Sequence, residues 1–189
     1  RLYYSTALTY TPERLNKKAI DSGIEVHREY SVERDGTWVL LQIPQTIRAG
    51  ELVRVDLYVL LPAAGYFVVV DDPVPGGLEP VDQRLATAST IDAEKASTSF
   101  PEGSYWYHSG DWRNAENSTW SFYHKELRHG SARFYSEYLA PGNYHLSYVA
   151  QAVAPGQFTA LPSHAEQMYE PDVFGKGAPA VFYIGKERR

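Results

Sequence analysis

The chain has 189 residues, 43% of them hydrophobic, and a formal net charge of -5. This length suits one domain with one sizeable core, and the charge gives no reason to expect a nucleic-acid or anionic-membrane partner. The sequence contains no cysteine, which excludes disulfides, thiolate metal sites and a cysteine nucleophile. Fifteen tyrosines and four tryptophans favour a β-rich domain, because aromatic side chains pack well on a pleated sheet.

The N-terminal segment is predicted to begin with a strand, because Leu2, Tyr4, Leu8 and Tyr10 fall at alternate positions. The chain enters this pattern directly at Arg1, which suggests that it was cut from a longer protein. Thr11 and Pro12 then resemble a helix start, with a capping hydroxyl followed by proline at the first helical position.

A sharper alternation predicts the next strand. Its inward positions are Ile24, Val26, Tyr30 and Val32, and mainly charged residues lie between them. Asp35 and Gly36 then predict a tight hairpin turn into a strand at Trp38–Ile43.

The longest apolar run, from Leu52 to Gly77, predicts two strands that are adjacent or nearly adjacent at the centre of the fold. The first is typical of a half-buried strand, because one face is apolar and the other is largely polar. The inward face holds Val53, Val55, Leu57, Val59 and Leu61, and the other holds Arg54, Asp56 and Tyr58. The second, Tyr66–Val70, is apolar throughout, which predicts cover on both faces until Asp71 ends it.

Residues 82 to 118 differ in composition and are predicted to form a long loop or insertion. The part from Ala86 to Ser104 should be its most mobile, because few apolar side chains offset the entropy of ordering. An aromatic cluster follows, at Tyr105, Trp106, Tyr107 and Trp112. These rings either pack on the sheet or form a platform on which sugar rings stack.

The C-terminal third returns to clear alternation, with strands predicted at residues 131–139, 143–153, 157–160 and 180–184. Ser163 and Glu166 have the spacing of a capping box, which predicts one helical turn that presents Met168 and Tyr169 and ends at Pro171. Nine to eleven short strands with little helix predict a single all-β domain, an antiparallel β-sandwich with one long insertion.

Few groups are candidates for catalysis. Asp71 and Asp72 are neighbours on a strand, so they point to opposite faces and cannot converge on one glycosidic bond without a local bend. The other interpretation of this pair is a solvated strand end. His124 and His129 are five residues apart, which suits neither one strand face nor a helical zinc pair.

Serines near His108 and His164 lack the glycine-bracketed turn of a catalytic serine. The residues therefore indicate a binding or structural module that is not an enzyme and that needs no cofactor or metal.

Two motifs carry a resemblance to a known family. Asp-Pro-Val-Pro-Gly-Gly-Leu-Glu-Pro follows the valine-rich strand, and Ala-Glu-Gln-Met-Tyr-Glu-Pro-Asp follows the Ala-Pro-Gly turn. With the flanking segments, they resemble the C-terminal macroglobulin-like domain of bacterial alpha-2-macroglobulins. The resemblance covers most of the chain and is weakest between Ala86 and Trp120.

This resemblance implies a fragment of a large cell-envelope protein that traps proteases after they cleave a bait region. It also implies that the chain docks on the thioester domain of its parent, beside other macroglobulin domains, and shields the thioester until cleavage. Met168, Tyr169 and Glu170 match the family's contact motif. We expect at least one of Met168 and Tyr169 to be exposed in this chain, with no partner for the tyrosine ring.

The resemblance further implies a periplasmic location, with inner-membrane anchoring through the parent's N-terminus as an option. By itself the chain should be a soluble monomer without inhibitory activity, because the target proteases are reached through the parent. The alternative is a free-standing, aromatic-rich carbohydrate-binding sandwich.

Overall fold

The computed structural model describes residues 1–8, 18–42, 45–81 and 121–185. The elements in these ranges are fourteen β-strands. In chain order they are β1 (Ile20–Ser22), β2 (Glu25–Arg34), β3 (Thr37–Leu40), β4 (Gln45–Arg48), β5 (Leu52–Leu61), β6 (Gly65–Pro73), β7 (Leu78–Pro80), β8 (His124–Arg128), β9 (Ser131–Leu139), β10 (Gly142–Ala152), β11 (Gly156–Ala160), β12 (His164–Gln167), β13 (Glu170–Lys176) and β14 (Ala180–Gly185).

Most of these strands form two antiparallel sheets. The six-stranded sheet has the order β1-β13-β12-β6-β9-β8, and the five-stranded sheet has the order β3-β2-β5-β10-β7. A three-stranded sheet, β11-β14-β4, includes one parallel pair, between β14 and β4. The prediction of an all-β sandwich is confirmed. The strands outnumber the nine to eleven predicted because elements of three or four residues, such as β4 and β7, are too short to show alternation.

Two short connections carry the chain between the large sheets at one end of the fold. Residues 62–64 lead from β5 to β6, and residues 140–141 lead from β9 back to β10. Leu61 pairs with Gly142, and Gly65 pairs with Leu139, so the two connections lie side by side. β5 and β6 are therefore both central, as predicted, but each lies in its own sheet instead of beside the other.

One hydrophobic core joins the three sheets, and it contains all the inward residues predicted for β2 and β5. Phe182 on β14 is fully buried, and its ring meets that of Tyr30 edge-on with centroids 4.5 Å apart. At Gly175, an added Cβ would lie 2.1 Å from the carbonyl oxygen of Ile24. Only glycine permits β13 to approach the five-stranded sheet this closely.

The hairpin turn between β2 and β3 is confirmed. Asp35 and Gly36 have φ angles of 52° and 79°, as a type I′ turn requires. The predicted first strand is wrong, because residues 1–8 form no strand and expose Leu2, Tyr3 and Tyr4. Alternation alone does not make a strand, because a strand also needs hydrogen bonds to a neighbouring strand.

The predicted helical turn at Ser163–Glu166 is also wrong. β12 is an extended strand that pairs with β6 on one side and β13 on the other, and Pro171 lies within β13. Two flanking ladders supply more hydrogen bonds than one isolated helical turn, so tertiary pairing overrides the capping pattern. The Oγ atom of Ser163, the predicted cap, is buried without a hydrogen bond.

The burial of β5 and β6 departs from the prediction at the outer face of β5 and at the start of β6. Arg54 and Asp56, on the supposedly open face of β5, are both buried. Tyr66 and Phe67 on β6 are both exposed, although cover on two faces was predicted. β6 also continues through Asp71 to Pro73.

Several predictions concern residues outside the described ranges and stay predictions. They are the helix start at Thr11 and Pro12, the insertion at residues 82–118, its rings at Tyr105, Trp106, Tyr107 and Trp112, and His108. In the part of the chain that is described, no helix has the length and hydropathy that a membrane span requires.

Candidate functional site

The three residues of the predicted docking motif lie together at the end of the β12–β13 hairpin. Met168 and Tyr169 form its two-residue turn, and Glu170 begins β13. Met168 is 43% exposed and Tyr169 is 76% exposed, and Glu170 is exposed as well. We call these three residues the hairpin tip. Adjoining apolar side chains in contact with solvent indicate a contact surface.

The hairpin tip is held firmly against β6. The backbone N–H of Met168 donates to the carbonyl oxygen of Phe67 (3.0 Å). The backbone N–H of Tyr66 donates to Oε1 of Gln167, a largely buried side chain (2.9 Å). The ring of Tyr169 meets that of Phe67 edge-on, with centroids 5.1 Å apart. The tip therefore presents its side chains in a defined position, although they are exposed.

The expectation about these side chains is confirmed in one respect and wrong in another. Both Met168 and Tyr169 are exposed, as at least one was expected to be. The tyrosine ring does have a partner, since it packs on Phe67. Phe67 was not predicted as part of this surface. A signal for it existed, because Tyr66 and Phe67 are the aromatic start of the uninterrupted apolar run.

The backbone at Phe67 has a conformation that is rare for a bulky side chain. Its φ angle is 50°, in the left-handed region, where L-residues crowd their own carbonyl group. Such a conformation costs about 1–3 kcal/mol and persists only where surrounding contacts hold it. Here the distortion interrupts the alternation of β6, so Tyr66 and Phe67 are exposed together.

Apart from the hairpin tip, a buried polar cluster lies inside the sandwich and joins its two large sheets. Asp72 on β6 has 0% exposure and accepts hydrogen bonds from Arg28 on β2 (2.5 Å) and from the hydroxyl of Tyr148 on β10 (2.6 Å). Arg28 also donates to the carbonyl oxygen of Leu161 (2.8 Å). Burial raises the pKa of Asp72, while Arg28 and the Tyr148 hydroxyl act in the opposite direction.

This buried cluster shows which interpretation of the aspartate pair is right. Asp71 points to the outer face and pairs with Arg133 at 3.0 Å, so the two carboxylates do point to opposite faces. The interpretation as a solvated strand end is wrong for Asp72, which is buried and forms an ion pair with Arg28 of the other sheet. Arg28 could have been found in the sequence, because it shares the inward parity of Val26 and Tyr30.

The candidate histidines are not brought together. His124 begins β8 with its ring near Tyr135, whereas His129 lies in the β8–β9 turn near Glu79. His164 on β12 lies 2.9 Å from Glu166, and the adjacent Ser163 hydroxyl makes no bond to it. Within the described ranges, no cluster of three or more metal-binding side chains was found.

The comparison with protein families decides the identity of the fold. Residues 23–172 match the model of the bacterial alpha-2-macroglobulin MG10 domain. The chain belongs to this family. As an alpha-2-macroglobulin domain it is not an enzyme, which agrees with the sequence analysis.

Individual relatives extend this result. An alpha-2-macroglobulin homolog from Nostoc is 24% identical over 195 residues, which cover 100% of this chain and 9% of that protein. A structure of Escherichia coli alpha-2-macroglobulin activated by porcine elastase is similar at 19% identity, with a TM-score of 0.70, and the match covers 92% of this chain and 14% of that one. A structure of Salmonella alpha-2-macroglobulin reacted with methylamine gives 22% identity and a TM-score of 0.66, covering 92% and 10%. This chain thus spans about a tenth of the relatives' length.

Proposed function

We propose that this MG10 domain docks through the hairpin tip on the thioester domain of a protease-trapping parent and keeps the thioester shielded until the bait region is cut. The observation that carries the proposal is a pair of exposed apolar side chains, Met168 and Tyr169, held in a defined position and left largely uncovered by the part of the chain that the structure describes. A thioester survives only where water and amines are kept away. An adaptable thioether beside an aromatic ring suits that task.

The protease-trapping role of the parent is part of the same proposal. It is supported by family membership and by similarity to an alpha-2-macroglobulin that was activated by a protease. The absence of cysteine means that the thioester itself must lie in another part of the parent. A periplasmic location follows from the same proposal, and fractionation of cells that produce the parent would test it.

The test uses the full parent chain, after its sequence has been checked for a Cys-x-x-Gln element. Met168 and Tyr169 are both replaced by Ala, and the release of the thioester thiol by methylamine is followed before any protease is added. An open contact should speed this aminolysis. The matched control replaces Val153 and Tyr183 by Ala; both are exposed, and they belong neither to the tip nor to the strands β6, β12 and β13 that hold it.

Faster aminolysis in the tip variant, with the control unchanged, would support the docking role. Unchanged aminolysis in a folded tip variant would remove Met168 and Tyr169 from the mechanism. Equal acceleration in both variants would show that any loss of exposed apolar surface loosens the parent, and it would also contradict the proposal.

A further inference from the structure

The hairpin tip is only one part of a larger apolar surface. Six exposed large apolar side chains adjoin one another at this end of the six-stranded sheet. They come from β6, β9, the residue before β8 and the hairpin turn, and they are Tyr66, Phe67, Tyr123, Tyr138, Met168 and Tyr169. Ring contacts of 5.1–5.3 Å join Phe67 to Tyr169 and Tyr66 to Tyr138. This is a continuous patch, which soluble domains rarely leave open without a function.

A cleft of about 250 Å³ opens within this patch. It is lined by Phe67, Tyr123, His124, Tyr135, Ser136 and Met168. Pockets for small molecules and cofactors usually have volumes of roughly 300–1,000 Å³, so this cleft is small for such a ligand. Its size and its aromatic walls suit one apolar side chain from a protein surface. We call it the tip cleft.

The occupant can be inferred from two observations. Met168 belongs both to the hairpin tip and to the wall of the tip cleft, so anything that covers the tip also reaches the mouth of the cleft. The chain corresponds to only 9% of the length of its Nostoc relative, so most of the surface available to it belongs to the rest of its own parent. A projecting side chain of the domain that contacts the tip is therefore the nearest candidate.

We propose that the tip cleft receives one apolar or aromatic side chain from the parent domain on which the hairpin tip docks. The docking interface then extends from the β12–β13 turn across Phe67 on β6 to Tyr135 on β9 and to Tyr123, the residue before β8. The left-handed backbone at Phe67 has a role in this arrangement, because it leaves the ring exposed where it both contacts Tyr169 of the tip and lines the cleft. This inference rests on the proposed docking function, and it extends the interface to residues outside the hairpin tip.

Photo-crosslinking in the full parent chain tests both surfaces independently. p-Benzoylphenylalanine replaces one tyrosine at a time, at Tyr123 in the cleft wall, at Tyr169 in the tip, or at Tyr183 on the three-stranded sheet as a control. All three side chains are exposed, so a ring-for-ring replacement should preserve the fold. After irradiation without protease, the crosslinked peptides are identified by mass spectrometry.

The expected result is that the probe at position 123 and the probe at position 169 each crosslink to the same neighbouring domain. The control probe at position 183 should give no crosslink to that domain. The peptide caught at position 123 should contain an exposed apolar or aromatic residue. A crosslink from position 169 without one from position 123 would overturn the cleft proposal and leave the docking function standing. A crosslink from position 123 without one from position 169 would remove the tip from the interface. It would contradict the proposed docking function and, with it, the cleft proposal that rests on that function.

Three further outcomes would also overturn the cleft proposal. A crosslink from position 123 to a residue within 1–189 would show that this chain fills its own cleft. A crosslink to a second copy of the parent would show that the patch is an interface between copies. Crosslinking from none of the positions would count against both proposals.

Discussion

β5 and β6 follow each other in sequence and depart from their predicted burial in opposite directions. β5 buries charged groups, because Asp56 lies 2.9 Å from Arg54 and 2.8 Å from His145. β6 exposes Tyr66 and Phe67, because the left-handed backbone at Phe67 interrupts the alternation of the strand. The difference teaches that side-chain polarity does not decide burial by itself. The polar groups of β5 find partners within this chain, whereas the apolar start of β6 stays exposed and belongs to the surface that we propose as a docking site.

The largest effect is expected at the buried end of β6. Asp72→Ala would leave the guanidinium of Arg28 buried without its carboxylate, and losing one member of a buried ion pair costs about 3–5 kcal/mol. Urea unfolding of the chain, monitored by tryptophan fluorescence, measures this change in unfolding free energy. Asp71→Ala, one residue away on the outer face, is the matched control and should have a much smaller effect. Equal effects would contradict the distinction between the two carboxylates.

The next effect concerns the core side of β5. Leu57→Ala should lower the unfolding free energy by about 2–5 kcal/mol, through lost transfer free energy and the cavity that remains. Leu57 has no exposed surface, so relaxation of its neighbours can recover only part of this loss. The same urea experiment measures it, and a change below about 0.5 kcal/mol would be incompatible with a fully buried position.

A smaller effect is expected from Tyr148→Phe. The change removes a hydrogen bond to a buried carboxylate and should cost about 1.5–3 kcal/mol at neutral pH. Tyr183→Phe, at an exposed position on the three-stranded sheet, should leave the unfolding free energy unchanged. If the two variants behaved alike, the hydroxyl of Tyr148 would not contribute to the inter-sheet cluster.

The destabilisation caused by Tyr148→Phe should depend on pH in a definite direction. Burial raises the pKa of Tyr148 well above its ordinary value of about 10. In the folded chain Tyr148 therefore keeps its proton, while the unfolded chain releases it above about pH 10, which favours unfolding. A phenylalanine side chain cannot be ionised, so the difference in unfolding free energy between the unaltered chain and Tyr148→Phe should narrow as the pH rises above about 10. A constant difference would contradict the raised pKa.

The smallest effect is expected at the hairpin tip. Met168→Ala and Tyr169→Ala should each change the unfolding free energy of this chain by less than about 0.5 kcal/mol, because exposed side chains contribute little to its stability. Thermal denaturation of both variants beside the unaltered chain provides the measurement. A loss comparable to that of Leu57→Ala would mean that the tip packs into this domain and is not held ready for another.

The sequence was sufficient for the parts of the fold that depend on local pattern. The alternation of β2, the Asp35-Gly36 turn and the inward face of β5 were predictable, because each depends on strand periodicity or turn geometry. The motif that contains Met168 and Tyr169 identified the exposed tip, although it placed these residues on a helical turn. That error arose because the pairing of β12 on both sides is a long-range property, which capping spacing cannot reveal.

The rest of the site depends on contacts between residues that are distant in sequence. Phe67 joins the tip only because β6 and β12 are neighbours, and its left-handed backbone has no marker in a run of apolar residues. Arg28 and Asp72 are separated by 44 residues, and they meet only once the two sheets face each other. The parity of Arg28 signalled a buried charge without showing which carboxylate would accept it.

The two side-by-side connections between the large sheets have a mechanical consequence. They adjoin Gly65 and Leu139, so the tip is attached to β6 within a few residues of the place where the chain enters the other sheet. A pull on the tip along β6 would be shared at once by the ladders of β12 and β9 on either side. Because ladder hydrogen bonds run across the strands, such a pull would stretch them in shear, and many would have to break together. The hairpin therefore resists extension, so a displacement of a domain bound to the tip would move the sheets of this domain together.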